Sequence, residues 1–206
     1  MNKFRQFTYS ALLIIIGIAV IIMSVKDIKT SKKDPIDLND SSVDWSELEV
    51  GDHVEMDVDF LMDYFTALEK DGKETNRVYA MPHIDDSGDY FTFDNFIGIS
   101  VNDEDFGTFD ALVDESSDWW NSDEVELNTT PVHIEGKVAK LDKEKLGFFD
   151  EYLDRLDIND SVIDSSMHEY YIVPIQNNSP VLIIVGALCL LAGVAWGGIL
   201  IVKGRG

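Results

Sequence analysis

The side chains best suited to chemistry are four histidines, His53, His83, His133 and His168, in a chain rich in carboxylates. Three of them fall at or near the start of a predicted strand, where two could meet. A zinc site needs at least three ligands, often in short pairs such as His-x-x-x-His or Cys-x-x-Cys. The sequence contains neither pair, so it predicts histidines at the surface or at strand edges and no metal ligands.

Three acidic clusters suggest calcium, which takes hard oxygen ligands from flexible loops. They are DDSGD at 85–89, NDED at 102–105 and DRLDIND at 154–160. None of them matches the twelve-residue calcium loop with its fixed glycine and terminal glutamate. Because the chain has 39 acidic residues, such clusters arise by chance, and calcium binding is kept only as an alternative.

Signatures of catalysis are missing from the sequence. It has no Gly-x-Ser-x-Gly, no glycine-rich phosphate loop, and a single cysteine, Cys189, inside an apolar run. Two carboxylates about 5–9 Å apart can hydrolyse a glycoside. Because the chain has so many acidic residues, almost any two strands could bring two carboxylates to this distance, so the pattern is not evidence for a glycosidase. The sequence therefore predicts no catalytic residue, no cofactor and no enzyme, with an enzyme acting on envelope polymers as an alternative.

The charge of the chain is concentrated in its middle. All 39 acidic residues lie between Asp27 and Glu169, with 11 of the 16 Lys and Arg residues, so this stretch carries 11 − 39 = −28. Such a charge repels nucleic-acid phosphates and anionic lipid headgroups. We therefore expect no nucleic-acid partner, whereas basic partners, divalent cations or simple solubility all remain open.

An uncharged apolar run at 180–202 is long enough to cross a membrane. The 22 residues from Val181 onward extend about 33 Å as a helix at about 1.5 Å per residue. Lys203 and Arg205 follow at once, whereas no Lys or Arg precedes the run back to Arg155. The positive-inside rule then predicts a cytoplasmic tail at 203–206.

A second apolar run occupies residues 7–25, after a short basic flank at 1–6. No small-x-small cleavage site follows it, which favours an uncleaved membrane anchor over a signal peptide. The four lysines after this run favour the opposite orientation, but long loops translocate largely regardless of charge. We predict a two-span protein of the cell membrane with both termini cytoplasmic.

Small residues in the second run form a Gly-x-x-x-Gly motif at Gly193 and Gly197. Small residues four apart let another helix approach closely. The partner could be the first span with Gly17 at the contact, a second copy, or another envelope membrane protein. The motif is also common by chance in apolar runs.

Between the spans, the pattern predicts a polar tether at 26–43 and a folded extracytoplasmic domain at 44–176. Period-two alternation indicates strands and 3.6-residue spacing indicates helices. The predicted strands are 53–60, 77–84, 90–101, 130–140 and 169–175, and the helices are 103–120 and 143–156. This order predicts an α+β domain: a five-stranded OB-like barrel, or a twisted sheet, with two helices. Gly136 is a candidate bulge or tight bend in its strand.

Two adjacent tryptophans end the first predicted helix of the domain. Helical spacing from Phe106, Phe109 and Val113 assigns Trp120 to the core. Trp119 is then the candidate contact for a partner or a sugar ring.

Three stretches carry a family resemblance: DWSELEVGDHVEMDVDFLMDYF at 44–65, PVHIEGKVAKLD at 131–142 and EYYIVPI at 169–175. The chain resembles a family of small, uncharacterised two-span membrane proteins of Gram-positive bacteria. The resemblance implies an extracytoplasmic β-rich domain with no established activity and no catalytic residues to transfer. The leading hypothesis is a binding or assembly protein of the bacterial envelope, and the alternative is a domain that senses calcium or a glycan.

Overall fold

The computed structural model describes residues 3–85, 92–122, 126–156, 167–175 and 179–204. The chain divides into two compact units. The helical unit combines Met1–Lys33 with Ile175–Gly206, and the αβ unit comprises Asp34–Pro174.

Two long helices make up the helical unit: α1, Lys3–Thr30, and α4, Ser179–Gly204. The stretches Gln6–Thr30 and Pro180–Val202 are long and apolar enough to cross a membrane. Only 17% of the most apolar window of α1 and 11% of that of α4 is buried. Most of these apolar side chains therefore point outward, unlike those of a helix in the core of a soluble domain.

The two helices pack antiparallel, because residues early in α1 lie beside residues late in α4. A Cβ atom added at Gly193 would lie 3.0 Å from the Ser10 carbonyl oxygen, whereas one at Gly186 would lie 2.8 Å from Ile21. The contact therefore runs in opposite directions along the two chains.

The αβ unit is built on a seven-stranded sheet with the order β1-β2-β6-β7-β5-β4-β3. Neighbouring strands are antiparallel except for the parallel pairs β1–β2 and β5–β7. The strands are Ile36–Asp37, His53–Val58, Tyr64–Lys70, Lys73–Asp85, Thr92–Asn102, Val132–Lys140 and Met167–Pro174 (β1 to β7), and the helices are α2, Phe106–Trp120, and α3, Lys143–Asp154.

This topology corrects the predicted five-stranded OB-like barrel, while the α+β class is confirmed. A barrel closes when its first and last strands pair, but here β1 and β3 lie at opposite ends of the sheet. Two strands were also missed. β1 is only two residues long, and β3 lies in a stretch to which no separate strand was assigned.

The predicted tether and the stretch between the predicted strands 53–60 and 77–84 both contain regular structure. Residues 26–30 continue α1, and Ile36 pairs with Val54 of β2. Leu38, which follows β1, is 2% exposed. Residues 69–76 form the end of a β3–β4 hairpin, whose two turn residues, Asp71 and Gly72, both have positive φ angles (54° and 78°). Asp-Gly suits such a tight hairpin turn.

Within the described part of the αβ unit, each face of the sheet packs against one helix. Side chains of β4 alternate between the two faces: Tyr79 and Met81 join Phe109 and Leu112 of α2 in one core cluster. Val78 and Ala80 join Phe149 and Leu153 of α3 in the other cluster. The centre of the sheet is therefore buried on both sides, as the middle layer of three.

Gly136 marks a close approach of two strands rather than the predicted bulge. The pairing of β6 with β2 runs through it without a register shift. A Cβ atom at this position would lie 2.5 Å from Ile172 Cγ2 and 2.8 Å from the Val173 carbonyl oxygen of β7. The missing side chain lets β6 and β7 come together.

Candidate functional site

An apolar groove of about 320 Å³ opens on the αβ unit where the loop after β2 meets the ends of α2 and α3. We call it the Trp120 groove. It is lined by residues 60–63, 113, 114, 116, 117, 120, 152 and 156. The loop is tied to the sheet because Met62 N–H donates to the Ala80 carbonyl oxygen (2.9 Å) and Ala80 N–H donates to that of Asp63 (3.3 Å).

Ser116 joins the same loop to α2. Its hydroxyl donates to the Leu112 carbonyl oxygen (2.7 Å) and accepts from the Leu61 N–H (3.0 Å). Ser116 is 1% exposed, so a serine holds a position in the core-facing stripe of α2. The hydrogen bond it accepts satisfies a buried N–H that would otherwise be costly.

The position of Ser116 reverses the predicted burial of the two tryptophans. The buried residues of α2 are Phe109, Leu112, Ser116 and Trp119. This stripe differs in phase from the predicted one, because hydrophobic spacing gave no weight to a serine. Trp119 is 9% exposed and packs in the core, whereas Trp120 is 57% exposed, so the expected burial of the two rings is reversed. The role of Trp119 as a partner contact stays a prediction.

The indole of Trp120 is held in place by aromatic neighbours. It stacks on Phe93, with ring centroids 5.4 Å apart and an interplanar angle of 21°. Phe60 and Trp119 contribute tilted rings, each at 6.3 Å from it. An exposed ring that is already immobilised loses little conformational entropy on binding.

Carboxylates accompany the apolar lining. Asp63 and Asp114 both line the groove, and none of the lining residues is Lys, Arg or His. Burial raises the pKa of Tyr152 to about 12, and the charge of Asp63 acts in the same direction. Arg155 lies beside the groove, with its guanidinium carbon 6.0 Å from the ring centroid of Tyr152. The groove combines aromatic faces with negative charge. This combination suits a ligand that has both a cationic group and apolar groups.

An ion-pair network fastens the start of α2 to β4. Asp110 accepts two hydrogen bonds from Arg77 Nη1 (both 2.9 Å) and one from the Tyr79 hydroxyl (2.7 Å). The Arg77 guanidinium also lies over the rings of Tyr64 (4.6 Å) and Phe106 (4.2 Å). Burial raises the pKa of Tyr79 well above its ordinary value, so its hydroxyl remains a donor. This network orients the helix that carries Trp120.

Two of the histidines pair with carboxylates across β2 and β6. His53 Nε2 lies 2.8 Å from Glu135 Oε1, and His133 Nδ1 lies 2.8 Å from Asp57 Oδ1. The ring of His83 packs edge-on against Trp45, with centroids 4.9 Å apart. The side chain of His168 lies outside the described residues.

Within the described part of the chain, no group of three or more His, Cys, Asp or Glu side chains could hold a metal ion. Of the acidic clusters, 86–89 and 157–160 lie outside the described residues. In the third cluster, Asp103 pairs with Lys73 at 2.5 Å.

In the helical unit, Gly193 and Gly197 both face α1. A Cβ atom at Gly193 would lie 2.7 Å from Ile14 Cγ1, and one at Gly197 would lie 2.9 Å from Ser10 Oγ. Gly17 contacts a different part of α4, where its Cβ would lie 2.7 Å from the Gly186 carbonyl oxygen. Of the partners considered for the Gly-x-x-x-Gly motif, the first span, α1, is the one that contacts both glycines in the structure.

The small residues of this contact recur every seven positions. Among the residues whose burial is described, Ser10, Gly17 and Ser24 are the buried positions of α1, and Gly186 and Gly193 are those of α4. A seven-residue repeat is the spacing of a left-handed helix pair, and small side chains allow the backbones to approach closely.

No curated protein matches the chain. One family profile matches residues 3–203, a range that includes the described parts of both helices up to Lys203 and the whole αβ unit. Because this match covers nearly the whole sequence, the chain belongs to the family described as "Domain of unknown function (DUF8577)".

Proposed function

We propose that the chain is a membrane-anchored binding or assembly protein whose αβ unit captures a partner through the Trp120 groove. One observation carries this proposal: a 57% exposed, stacked indole stands at a groove of about 320 Å³. Exposed aromatic residues next to a pocket are typical anchors of protein interfaces. The absence of catalytic motifs from the sequence favours binding over chemistry.

We further propose that α1 and α4 span the membrane of a bacterial envelope, with the termini cytoplasmic and the αβ unit outside. Support comes from helix length, from outward-facing apolar side chains, and from Lys203 and Arg205, the basic residues that follow the apolar run in the sequence.

Impermeant maleimide labelling of intact cells tests the orientation. In a Cys189→Ala background, Glu69→Cys places an exposed thiol on β3, and Gly204→Cys introduces a second thiol at the last residue of α4. We expect the first variant to be labelled in intact cells and the second only after lysis. The reverse pattern would overturn the proposed topology.

Co-purification in mild detergent tests partner capture. The full chain should retain a stoichiometric membrane or envelope partner that Trp120→Ala loses. Phe148→Ala is the matched control, because Phe148 is 42% exposed on α3 and does not line the groove. Absence of any stoichiometric partner, or equal loss in both variants, would contradict the proposal.

The helix contact is tested by the same experiment with Gly193→Leu/Gly197→Leu. Because both glycines face α1, we expect the substitution to weaken the packing of α1 against α4. The partner should still co-purify, because the proposed capture depends on the groove alone. If this variant loses the partner while Trp120→Ala still retains it, the binding site lies on the helices and not at the groove.

A further inference from the structure

We propose that the occupant of the Trp120 groove is a cationic amphipathic segment of a partner protein, with apolar side chains in the groove and Lys or Arg side chains against Asp63, Asp114 and the Trp120 ring. The inference rests on the proposed binding function and adds the chemistry of the partner. Three features of the groove support it: its size, its charge and its aromatic faces.

The size of the groove suits a few side chains. Its volume of about 320 Å³ lies at the low end of the roughly 300–1,000 Å³ of small-molecule sites. The lining is mainly apolar, with Leu61, Met62, Val113 and Leu156 among its residues. A bare metal ion or a free polar cation would leave this apolar surface exposed to solvent, whereas the apolar side chains of an amphipathic segment would cover it.

The charge of the groove lining opposes an acidic occupant. Asp63 and Asp114 are the charged residues of the lining. The surrounding charge of −28 on residues 27–169 adds long-range attraction for a base.

The αβ unit already packs its own guanidinium groups on aromatic rings. Arg77 lies 4.2 Å and 4.6 Å from two ring centroids, and Arg155 lies 6.0 Å from that of Tyr152. In the groove, the Trp120 indole is exposed, and Trp gives the strongest cation–π contact of the aromatic residues. The same interaction is therefore open to a partner cation.

Fluorescence anisotropy of a labelled peptide tests the inference on the full chain in a nonionic detergent. The probe is the twelve-residue peptide Leu-Ala-Arg-Leu-Leu-Ala-Arg-Leu-Leu-Ala-Arg-Leu, with empty micelles titrated as the background. A second peptide has Glu in place of each Arg, and a third has Ser in place of each Leu. We expect the first peptide to bind at least tenfold more tightly than either of the others.

Variants of the chain separate groove binding from general charge attraction. Trp120→Ala should weaken binding about tenfold, as expected for a hot-spot aromatic residue. Asp63→Asn/Asp114→Asn should weaken it at least fivefold and reduce its salt dependence. The matched control is Glu69→Gln/Glu104→Gln, which removes two exposed charges outside the groove and should stay within twofold. Circular dichroism checks that each variant is folded.

Three outcomes would overturn the inference: no binding of the Arg peptide, unchanged binding to Trp120→Ala, or an equal loss in the control pair. These outcomes are distinct from failure of the proposed function. If a stoichiometric partner still depends on Trp120 while the Arg peptide does not bind, only the cationic chemistry is wrong. If no such partner exists, the binding function itself fails.

Discussion

The hydroxyl of Ser10 donates a 2.6 Å hydrogen bond to the carbonyl oxygen of Gly193, 183 residues later in the chain. The bond is buried, and it forms where Gly193 lacks a side chain that would hold the helices apart. Ser10 also lies beside Gly197. The two ends of the chain thus meet through one polar side chain and two glycines.

This contact predicts a disulfide between the ends of the chain. A Cβ atom at Gly197 would lie 3.9 Å from Ser10 Cβ, close to the mean of about 3.8 Å in disulfides. In a Cys189→Ala background, we expect Ser10→Cys/Gly197→Cys to oxidise to an intramolecular disulfide, detected by mass and by mobility on a nonreducing gel.

The control moves the second cysteine by one residue. A Cβ atom at Gly198 would have no other group within 4 Å, so Ser10→Cys/Gly198→Cys should remain reduced under the same conditions. Equal oxidation of the two variants would show that the helices do not pack in this register.

The two tryptophans predict a contrast in stability. Trp119→Ala should lower the free energy of unfolding by about 3–5 kcal/mol, because it leaves a cavity in the core. Trp120→Ala removes one stacked pair and should cost about 1 kcal/mol. Urea unfolding of the full chain in detergent, followed by circular dichroism, measures both. A larger loss in Trp120→Ala would contradict the assigned burial.

The Asp110 network predicts a stabilising role for one half-exposed carboxylate. Arg77, whose side chain is 18% exposed, loses its ionic partner in Asp110→Asn, and we expect about 1–2 kcal/mol less stability. Asp103→Asn breaks an exposed ion pair with Lys73 and should change little. Urea unfolding compares the two variants, and an equal effect would show that burial of Arg77 does not matter.

The pKa of Tyr152 predicts a loss of stability at alkaline pH. Below pH 10 the phenol is protonated in both the folded and the unfolded chain, so it contributes no pH dependence. Because burial raises the pKa from 10.0 to about 12, the unfolded chain ionises first between these values, and the free energy of unfolding falls as pH rises.

Urea unfolding at pH 9 to 12 measures this effect. Tyr152→Phe should reduce the fall without abolishing it, since burial also raises the pKa of Tyr79. Asp63→Asn should reduce it slightly, because the Asp63 charge contributes to the Tyr152 shift. An identical pH profile in Tyr152→Phe would refute the assignment.

Local patterns located most elements but not their neighbours. The strands at 53–60 and 130–140 were predicted from alternation, and both form. Alternation along one strand says which side chains share a face, yet it carries no information about which strand lies next to it. The parallel pairing of β5 with β7 brings together Ile99 and Ile172, which are far apart in sequence.

The Trp120 groove was missed for a related reason. Helical spacing was counted on apolar residues, so Ser116 could not be recognised as a core position. Its hydroxyl is satisfied by Leu61 from a distant loop, and only that pairing makes a buried serine favourable. Because the buried stripe of α2 differs in phase from the predicted stripe, Trp119 is buried and Trp120 is exposed, the reverse of the prediction.

The amino-acid sequence alone determined the two long apolar helices, the acidic middle of the chain and the α+β class, because length, charge and periodicity are properties of single segments. The tertiary structure decided the open sheet, the choice of Trp120 as the exposed ring and the alignment of Ser10 with Gly193. Each of these depends on which distant groups meet, and such contacts are selected by the packing of the whole chain.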